Sequence, residues 1–510
     1  MIAKTVPRKD TESFMETEVP KYLIVLNGIA AVVYFIVLAF WFPRGNTVLF
    51  SLLIAGEIFH LWQLATFLWT IWDTEYEASF DSSYQPKVDV FITVAGEPVD
   101  IVQETVTAAL AMRYPRHTVY ILNDGYVAKK ENWYEMELLA ERLGVECITR
   151  KTPGGAKAGN INNALRETAS DLVVVFDADH VPHADFLART VPYFHDPKMG
   201  YVQTPQYYKN YAVNDITRGS WEQQTLFFGP ICKGKNRLNS VTMCGTNMVI
   251  RRSALVEVGG IAESIAEDFL TGALMHSRGW KSLYVPEVLA EGLAPEDFLS
   301  YYKQQFRWAR GSLDFIFRYK LLFRPGLSFA QRLQYLSSVS YFLSGAVVLM
   351  NALIPLLFFF FGIVPFQIST MLLAAIFLPN IFLTLYLLQR SSGYSFSFRS
   401  LAFSMAGFTI HLRALLAALL GEKTAFSVTS KKAISGNFVR LVIPHIVYIL
   451  LVVFGVGVGI AREGFSPSIL SNFAWAVLYS VIFLEFVAAA LPKESYGFVH
   501  ELFASRELAG

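Results

Sequence analysis

The sequence is poor in charge and nearly without cysteine. Only 17% of its 510 residues are Asp, Glu, Lys or Arg, against about 25% in ordinary soluble domains. So little charge, with hydrophobic residues at 53%, excludes a disordered or solvating chain. Lys and Arg (43) almost cancel Asp and Glu (42), and the formal net charge of +1 excludes a basic nucleic-acid-binding domain and an acidic scaffold. Three cysteines, Cys147, Cys232 and Cys244, are too few for a disulfide framework. None sits in a C-x-x-C pair, which argues against a structural zinc site and fits a reducing compartment.

What the chain has in quantity is apolar residues, and they are unevenly spread. Residues 22–42 carry no charge, and at about 1.5 Å per residue such a helix matches the ~30 Å hydrocarbon core. A polar lead without a small-residue cleavage site makes this run an anchor and not a removable signal. A second run, about 48–72, holds Glu57 and His60 one turn apart on one helix face. Ionisable groups at membrane depth are functional candidates by default, although groups facing neighbouring helices or an interface read the same way. Residues 73–325 have the composition of a soluble α/β domain, and apolar spans return at about 339–365, 367–388, 439–460 and 469–491. The stretch 396–420 is interrupted by Arg399, His411 and Arg413, so it reads as a helix lying in the membrane interface. Basic residues cluster at Lys4, Arg8, Lys9 and Lys21 and again at Arg399, Arg413, Lys423, Lys431 and Lys432. By the positive-inside rule both termini and the soluble domain are expected in the cytoplasm. The predicted division is a cytoplasmic segment 1–21, two membrane helices in 22–72, a cytoplasmic domain 73–325, four membrane helices in 326–492 and a cytoplasmic tail 493–510. The interfacial helix and a loop, at about 390–437, fall within the four-helix part.

Within the soluble domain, short apolar runs at 88–93, 119–122, 145–148 and 172–176 alternate with helix-like stretches at 99–112, 130–143 and 159–168. Such alternation predicts a mainly parallel sheet covered on both faces, with ligands beyond the carboxyl ends of its strands. Two of those ends carry carboxylates, in Asn123-Asp124-Gly125 and in Asp177-Ala178-Asp179-His180. Side chains at i and i+2 of an extended segment point the same way, so Asp177 and Asp179 are expected to converge. Such a pair suits Mg²⁺ or Mn²⁺, with a nucleoside diphosphate completing the shell, although Asp-x-Asp triplets also arise by chance in solvated turns. Asp268, in Ala266-Glu267-Asp268, is either an acidic residue at a helix N-terminus or a general base that takes a proton from an attacking hydroxyl. Pattern alone favours the helix terminus. Gln304, Arg307 and Trp308 follow a run of aromatics; arginine offers a fork for diphosphate oxygens and tryptophan a face for a sugar ring. An amphipathic helix at a membrane surface would carry the same residues. In the segment from Phe426 to Lys431, Thr429 and Lys431 are suitable phosphate donors on a loop able to open and close over a site, or residues of a solvated loop with ordinary inside-positive charge.

Taken together these motifs resemble the processive membrane glycosyltransferases of family 2, most closely the catalytic subunits of cellulose synthase. The matching residues are Asp124, Lys157-Ala158-Gly159-Asn160, Asp177-Ala178-Asp179-His180, Gln203-Thr204-Pro205, Cys244-Gly245-Thr246, Glu267-Asp268, His276 to Lys281, the Q-x-x-R-W of Gln304, Arg307 and Trp308, and the F-x-V-T-x-K of residues 426–431. The resemblance implies a GT-A-like α/β cytoplasmic glycosyltransferase domain inserted in an α-helical membrane domain of about six transmembrane helices plus interfacial helices. It implies that Glu97, Asp124 and Lys157 hold the nucleotide end of the donor, and Asp177 and Asp179 the diphosphate and its Mg²⁺ or Mn²⁺. Asp268 is implied as the base, Gln304 and Arg307 as partners of the departing diphosphate, and Thr429 and Lys431 as residues closing over the donor. Cys244, Gly245, Thr246, Glu267 and Trp308 are implied beside the acceptor sugar. The expected activity is an inverting β-glucan synthase of a bacterial inner membrane that uses UDP-glucose and threads its product through the bilayer, with accessory subunits as further partners. The linkage stays open between 1,4, 1,3 and mixed, and a hyaluronan- or chitin-like synthase using UDP-N-acetylglucosamine is the alternative. The chain departs from the family pattern at Ala95, where a tyrosine is usual, at Ala266, where a threonine is usual, and at Gln305-Phe306 in place of Arg-Gly.

Overall fold

The computed structural model describes residues 19–367, 370–422, 434 and 436–491. Ten strands lie in the soluble portion, and most of their register follows from where the apolar runs fall. In chain order they are β1 (Val88–Val94), β2 (His117–Asn123), β3 (Glu146–Thr149), β4 (Leu172–Asp177) and β5 (Val181–Pro182), followed by β6 (Met199–Gln203), β7 (Tyr207–Tyr208), β8 (Met248–Arg251), β9 (Lys281–Tyr284) and β10 (Ala290–Gly292). Seven form one sheet in the order β3-β2-β1-β4-β8-β6-β9, and β5, β10 and β7 form a second, small sheet. The first four strands of the large sheet are parallel, while β8 runs antiparallel to both β4 and β6.

All seven residues of β1 are buried, as expected of a strand covered on both faces. Its one acidic residue, Asp89, is matched by Arg252 at 2.7 Å and by the Ser170 hydroxyl at 2.7 Å, so the charge is paired inside the core. Cores on the two sides of the sheet separate by strand alternation: Val90, Ile92, Val174 and Phe176 pack on one side, Phe91, Val173 and Val175 on the other.

Among the described residues, seven helices are long and apolar enough to cross a membrane by length and composition: Lys21–Trp41, Thr47–Thr70, Phe329–Phe361, Met371–Ser391, Phe398–Leu419, Val439–Glu463 and Pro467–Ala490. Six correspond to the sequence-based spans. The seventh, Phe398–Leu419, is divided at Gly407 into Phe398–Ala406 and Phe408–Leu419. It packs against two helices of the soluble domain, Asp215–Leu226 and Phe298–Phe317, as well as Pro467–Ala490. Arg399 pairs there with Asp215 at 3.1 Å and approaches Glu485 at 3.8 Å, which explains the charge in an otherwise apolar stretch. A polar seam ties the second membrane helix to the Phe329–Ser340 helix: Trp62 to Ser340 at 3.0 Å, Thr66 to Ser337 at 2.9 Å and Gln334 to Thr70 at 2.7 Å. Arg237 of the soluble domain donates to the Trp69 carbonyl of the second membrane helix, so the domain is held against membrane helices that precede and follow it in the chain.

Candidate active site

The site is built on the ends of β2 and β4 and on two helices that meet above them. β4 ends at Asp177, whose backbone N–H donates to the Thr246 hydroxyl at 2.9 Å and whose carboxylate accepts from Thr93 at 3.3 Å and pairs with Lys157. The His180 N–H donates to the Asp177 carbonyl at 3.0 Å, so Asp177 to His180 is a turn and not an extended segment. The expectation that the two carboxylates converge by i, i+2 alternation therefore lacks its premise. Asp179 lies deeper, 1% exposed, and accepts from the Leu293 N–H at 3.1 Å just beyond β10.

Lys157 sits in the first turn of the helix Ala156–Glu167. Besides Asp177 it donates to the Gly245 carbonyl at 2.8 Å. Burial works against its charge, but Asp177, Glu267 and Asp268 together hold its ammonium above the usual lysine value. Gly245 has φ +79°, and a β-carbon there would lie 2.9 Å from Asp268 Oδ2. Only glycine lets this backbone lie against the carboxylate without strain.

Glu267 and Asp268 open the helix Glu267–Ser277, whose N-cap is Ala266 with no side-chain cap bond. Asp268 instead accepts from the adjacent Phe269 N–H at 2.7 Å. Burial raises Asp268 from its ordinary value, opposed by that hydrogen bond and by Lys157. Burial and then the neighbouring Asp268 charge raise Glu267. Such displaced carboxylates in one place are a mark of functional sites.

The helix Phe298–Phe317 carries Gln304, Arg307 and Trp308, all partly buried. Its start is fixed by Asp297, which accepts from the Ser300 N–H at 2.8 Å. A β-carbon on Gly311 would lie 2.8 Å from the Ala266 β-carbon and 3.0 Å from its nitrogen. This close approach seats the helix on the start of Glu267–Ser277 and brings Arg307 within reach of the fields of Glu267, Asp177 and Asp268. Burial lowers the Arg307 guanidinium, and those three charges oppose the shift.

The loop of Cys244, Gly245 and Thr246 is braced from β6. Gln203 accepts from the Cys244 N–H and donates to the Thr246 carbonyl, each at 2.8 Å, and Gln206 donates to the Cys244 carbonyl at 2.7 Å. Burial pushes the Cys244 thiol well up, which leaves it a poor nucleophile.

The structure thus gathers Lys157, Asp177, Gly245, Thr246, Glu267, Asp268 and Arg307. Asp124 stands at the neighbouring strand end, where both its oxygens meet Arg150 at 2.7 and 2.6 Å. Glu97 accepts from the Ala95 N–H at 2.6 Å. Thr429 and Lys431 lie outside the described residues. Arg150 is the residue that sequence reasoning missed; its only signal is a basic residue directly after a predicted strand. Among the described residues no three His, Cys, Asp or Glu side chains form a ready-made metal cage. Asp177 and Asp179 each offer hard oxygen donors, and either carboxylate suits Mg²⁺ or Mn²⁺, ions that take one or two carboxylates plus substrate phosphates.

The profile described as "Glycosyltransferase like family 2" matches residues 86–311, and that described as "Cellulose synthase" matches residues 256–507. The chain is 33% identical over 403 residues to putative cellulose synthase 2 of Komagataeibacter xylinus, covering 76% of this chain and 26% of that one. It is 31% identical over 428 residues to the cellulose synthase catalytic subunit (UDP-forming) of Pseudomonas fluorescens, covering 80% of this chain and 57% of that one. It therefore spans between about a quarter and a little over half of these relatives' length. The solved structure of a mannosyltransferase from Pyrobaculum calidifontis, in complex with GDP-Man and Mn²⁺, aligns with a TM-score of 0.51 at 18% identity, covering 74% of this chain and 100% of that one; the two share a GT-A-like fold. The strand ends, the carboxylates and the arginine helix all fall inside the matched regions, so the chain carries a glycosyltransferase family 2 domain over residues 86–311 and a cellulose synthase domain over residues 256–507.

Proposed function

We propose that the protein is a processive, inverting β-glucan synthase that transfers glucose from UDP-glucose to a growing chain and passes the polymer across the membrane. The observation that carries this reading is the cluster of Asp268, Glu267, Lys157 and Asp177 beneath Arg307, on helices that pack directly against the membrane helices. Asp268 takes the proton from the acceptor hydroxyl as that oxygen attacks the anomeric carbon from the face opposite the diphosphate. Configuration inverts, so an α-linked donor yields a β-linkage. Lys157 is the cation that offsets the charge Asp268 bears before the transfer. Arg307, with Gln304 beside it, meets the charge growing on the departing diphosphate, and Trp308 on the next position offers its ring to the acceptor sugar. Asp179 and Asp177 would hold the divalent ion, which supplies charge neutralisation on the diphosphate when bound.

Translocation draws support from a cavity of about 500 Å³ among the membrane helices. Its walls include Tyr34, Glu57, Asn351, Asn472, Trp475 and Tyr479, a mixture of ring faces and hydrogen-bonding groups that suits a sugar polymer, which cannot cross hydrocarbon unaided. Glu57 accepts there from Tyr34 at 3.4 Å. With the catalytic domain on the cytoplasmic side, where nucleotide sugars are made, synthesis and export follow one direction. The test is the full chain purified in detergent, offered UDP-glucose or UDP-N-acetylglucosamine, with the product digested by linkage-specific glucanases. Glucanase-sensitive polymer from UDP-glucose is expected; incorporation of the N-acetyl sugar alone would overturn the glucan reading.

A further inference from the structure

We infer that Arg150 is a positioning residue of the donor site, tying Asp124 to the loop that carries Lys157 and so setting the affinity for the nucleotide end of the sugar donor. The inference rests on the reading of the chain as a nucleotide-sugar transferase. Arg150 follows directly on β3 and is 6% exposed. Its backbone N–H donates to the Asn123 carbonyl at 3.1 Å, next to Asp124. The guanidinium faces two ways. Nε and Nη2 meet the Asp124 carboxylate as a planar fork, at 2.7 and 2.6 Å. Nη1 donates to the Gly154 carbonyl, and Nη2 also to the Ala156 carbonyl at 3.2 Å.

Those carbonyls belong to a backbone reversal in which Gly154, Gly155 and Ala156 have φ of +130°, +67° and +45°. Alanine is strained in that region, so the turn needs outside support, and Lys157 follows at once. A β-carbon on Gly159 would lie 2.1 Å from the Gly154 carbonyl oxygen and 2.4 Å from Arg150 Nη1. The loop is thus wrapped tightly around the guanidinium. One side chain orients both an acidic residue at the end of β2 and the loop that delivers Lys157 to Asp177. Each carboxylate oxygen keeps further lone-pair capacity after accepting the fork, so Asp124 can still accept from an N–H or O–H of a nucleotide, while the guanidinium offsets a charge that would repel the diphosphate. Lysine cannot reproduce this, because its ammonium is a point charge without the planar fork.

The experiment uses the full chain in detergent, with UDP-glucose for kinetics and UDP alone as the binding probe. Arg150→Gln should raise the donor KM and the UDP Kd by about tenfold or more while kcat changes by no more than about threefold. Arg150→Lys should fall between the variant and the wild type. Combining Arg150→Gln with Asp124→Asn should be less than additive, since both changes remove the same contact. A donor KM and UDP Kd within about twofold of wild type, or a loss confined to kcat, overturns the inference. Should Arg150→Gln fail to fold, Arg150→Lys is judged by the same direction and the same twofold limit. A wild type that binds UDP and turns over UDP-glucose, with an Arg150→Lys variant that binds equally well, refutes this inference alone. A wild type that does neither refutes the transferase reading instead.

Discussion

Replacing Asp268 with Asn tests the proposed base while hardly changing side-chain volume. The carboxylate lies against Gly245, accepts from the Phe269 N–H at 2.7 Å and sits in the field of Lys157. Removing a positioned general base lowers the rate by about 10²- to 10⁴-fold, which is ~3–5 kcal/mol of transition-state stabilisation. Polymer formation from labelled UDP-glucose should fall by that factor, with UDP binding retained. The displaced titration adds a second readout. Burial raises Asp268 and Glu267 above the ordinary carboxylate range, so wild-type turnover should fall with decreasing pH at values where an exposed carboxylate is still ionised. A group whose folded pKa is raised contributes stability that is full below its unfolded pKa and lost as pH rises through the folded pKa, at about 1.4 kcal/mol per unit of displacement. Asn removes that loss. Its thermal midpoint should exceed the wild type at mildly alkaline pH, and the gap should close at acid pH. Activity within about tenfold of wild type, or a variant that melts earlier at alkaline pH, would refute the reasoning.

Three further outcomes are expected. Gly245→Ala introduces a β-carbon at φ +79° and 2.9 Å from Asp268 Oδ2; it should cost about 1–2 kcal/mol in thermal stability and reduce kcat, and an unchanged kcat would show that this approach is idle. Chelation by EDTA should abolish turnover, and Mg²⁺ or Mn²⁺ should restore it; activity indifferent to chelation would remove the metal role from Asp177 and Asp179. Lys235 is 1% exposed and bonded to the Thr242 and Ser338 hydroxyls at 2.9 and 2.8 Å, and burial lowers its ammonium from the usual value. Stability is then lost as pH falls from the ordinary lysine range towards that lowered value. Lys235→Met should melt higher than wild type by a margin that grows as pH falls across this window, checked by thermal unfolding; a margin that shrinks would contradict the assignment.

Elements that bury continuous apolar runs were legible in the sequence. β1 and β4 are such runs, and the membrane helices announce themselves by length without charge. β5, β7 and β10 are two or three residues long, too short for any periodicity, and β8 runs against its neighbours for reasons of chain path that local pattern does not carry. The Asp-Ala-Asp motif was visible, but its turn was not, because the His180 to Asp177 hydrogen bond is a property of the folded backbone. Lys157 stood out as a motif residue, yet its partners on β4 and on the Cys244–Thr246 loop come from distant parts of the chain. Arg150 was hidden for the same reason: its partner Asp124 ends a different strand, and only the adjacency of β2 and β3 brings the two together. Arg399, by contrast, was noticed as a charge that disqualified a membrane span, and its pairing with Asp215 supplies the cause.

The described residues on either side of 423–433, Glu422 and Ile434, are both bonded to the helix region of the candidate site. On one side, Arg310 donates to the Glu422 carbonyl at 3.1 Å; on the other, the Ile434 N–H donates to Asp297 at 3.1 Å. Arg310 lies on the helix that carries Gln304, Arg307 and Trp308, and Asp297 is its N-cap. Asp297 also caps the helix through Ser300, and removing such a cap costs about 1 kcal/mol. Asp297→Ala therefore separates two possibilities. If Thr429 and Lys431 act on bound donor, loosening the Ile434 anchor should raise the donor KM beyond what the small loss of stability explains, and the Ser300 cap restored by Asp297→Ser should recover stability but not KM. A KM that follows stability in both variants would mean that the segment works away from the donor, leaving Arg307 and Gln304 as the groups that meet the diphosphate.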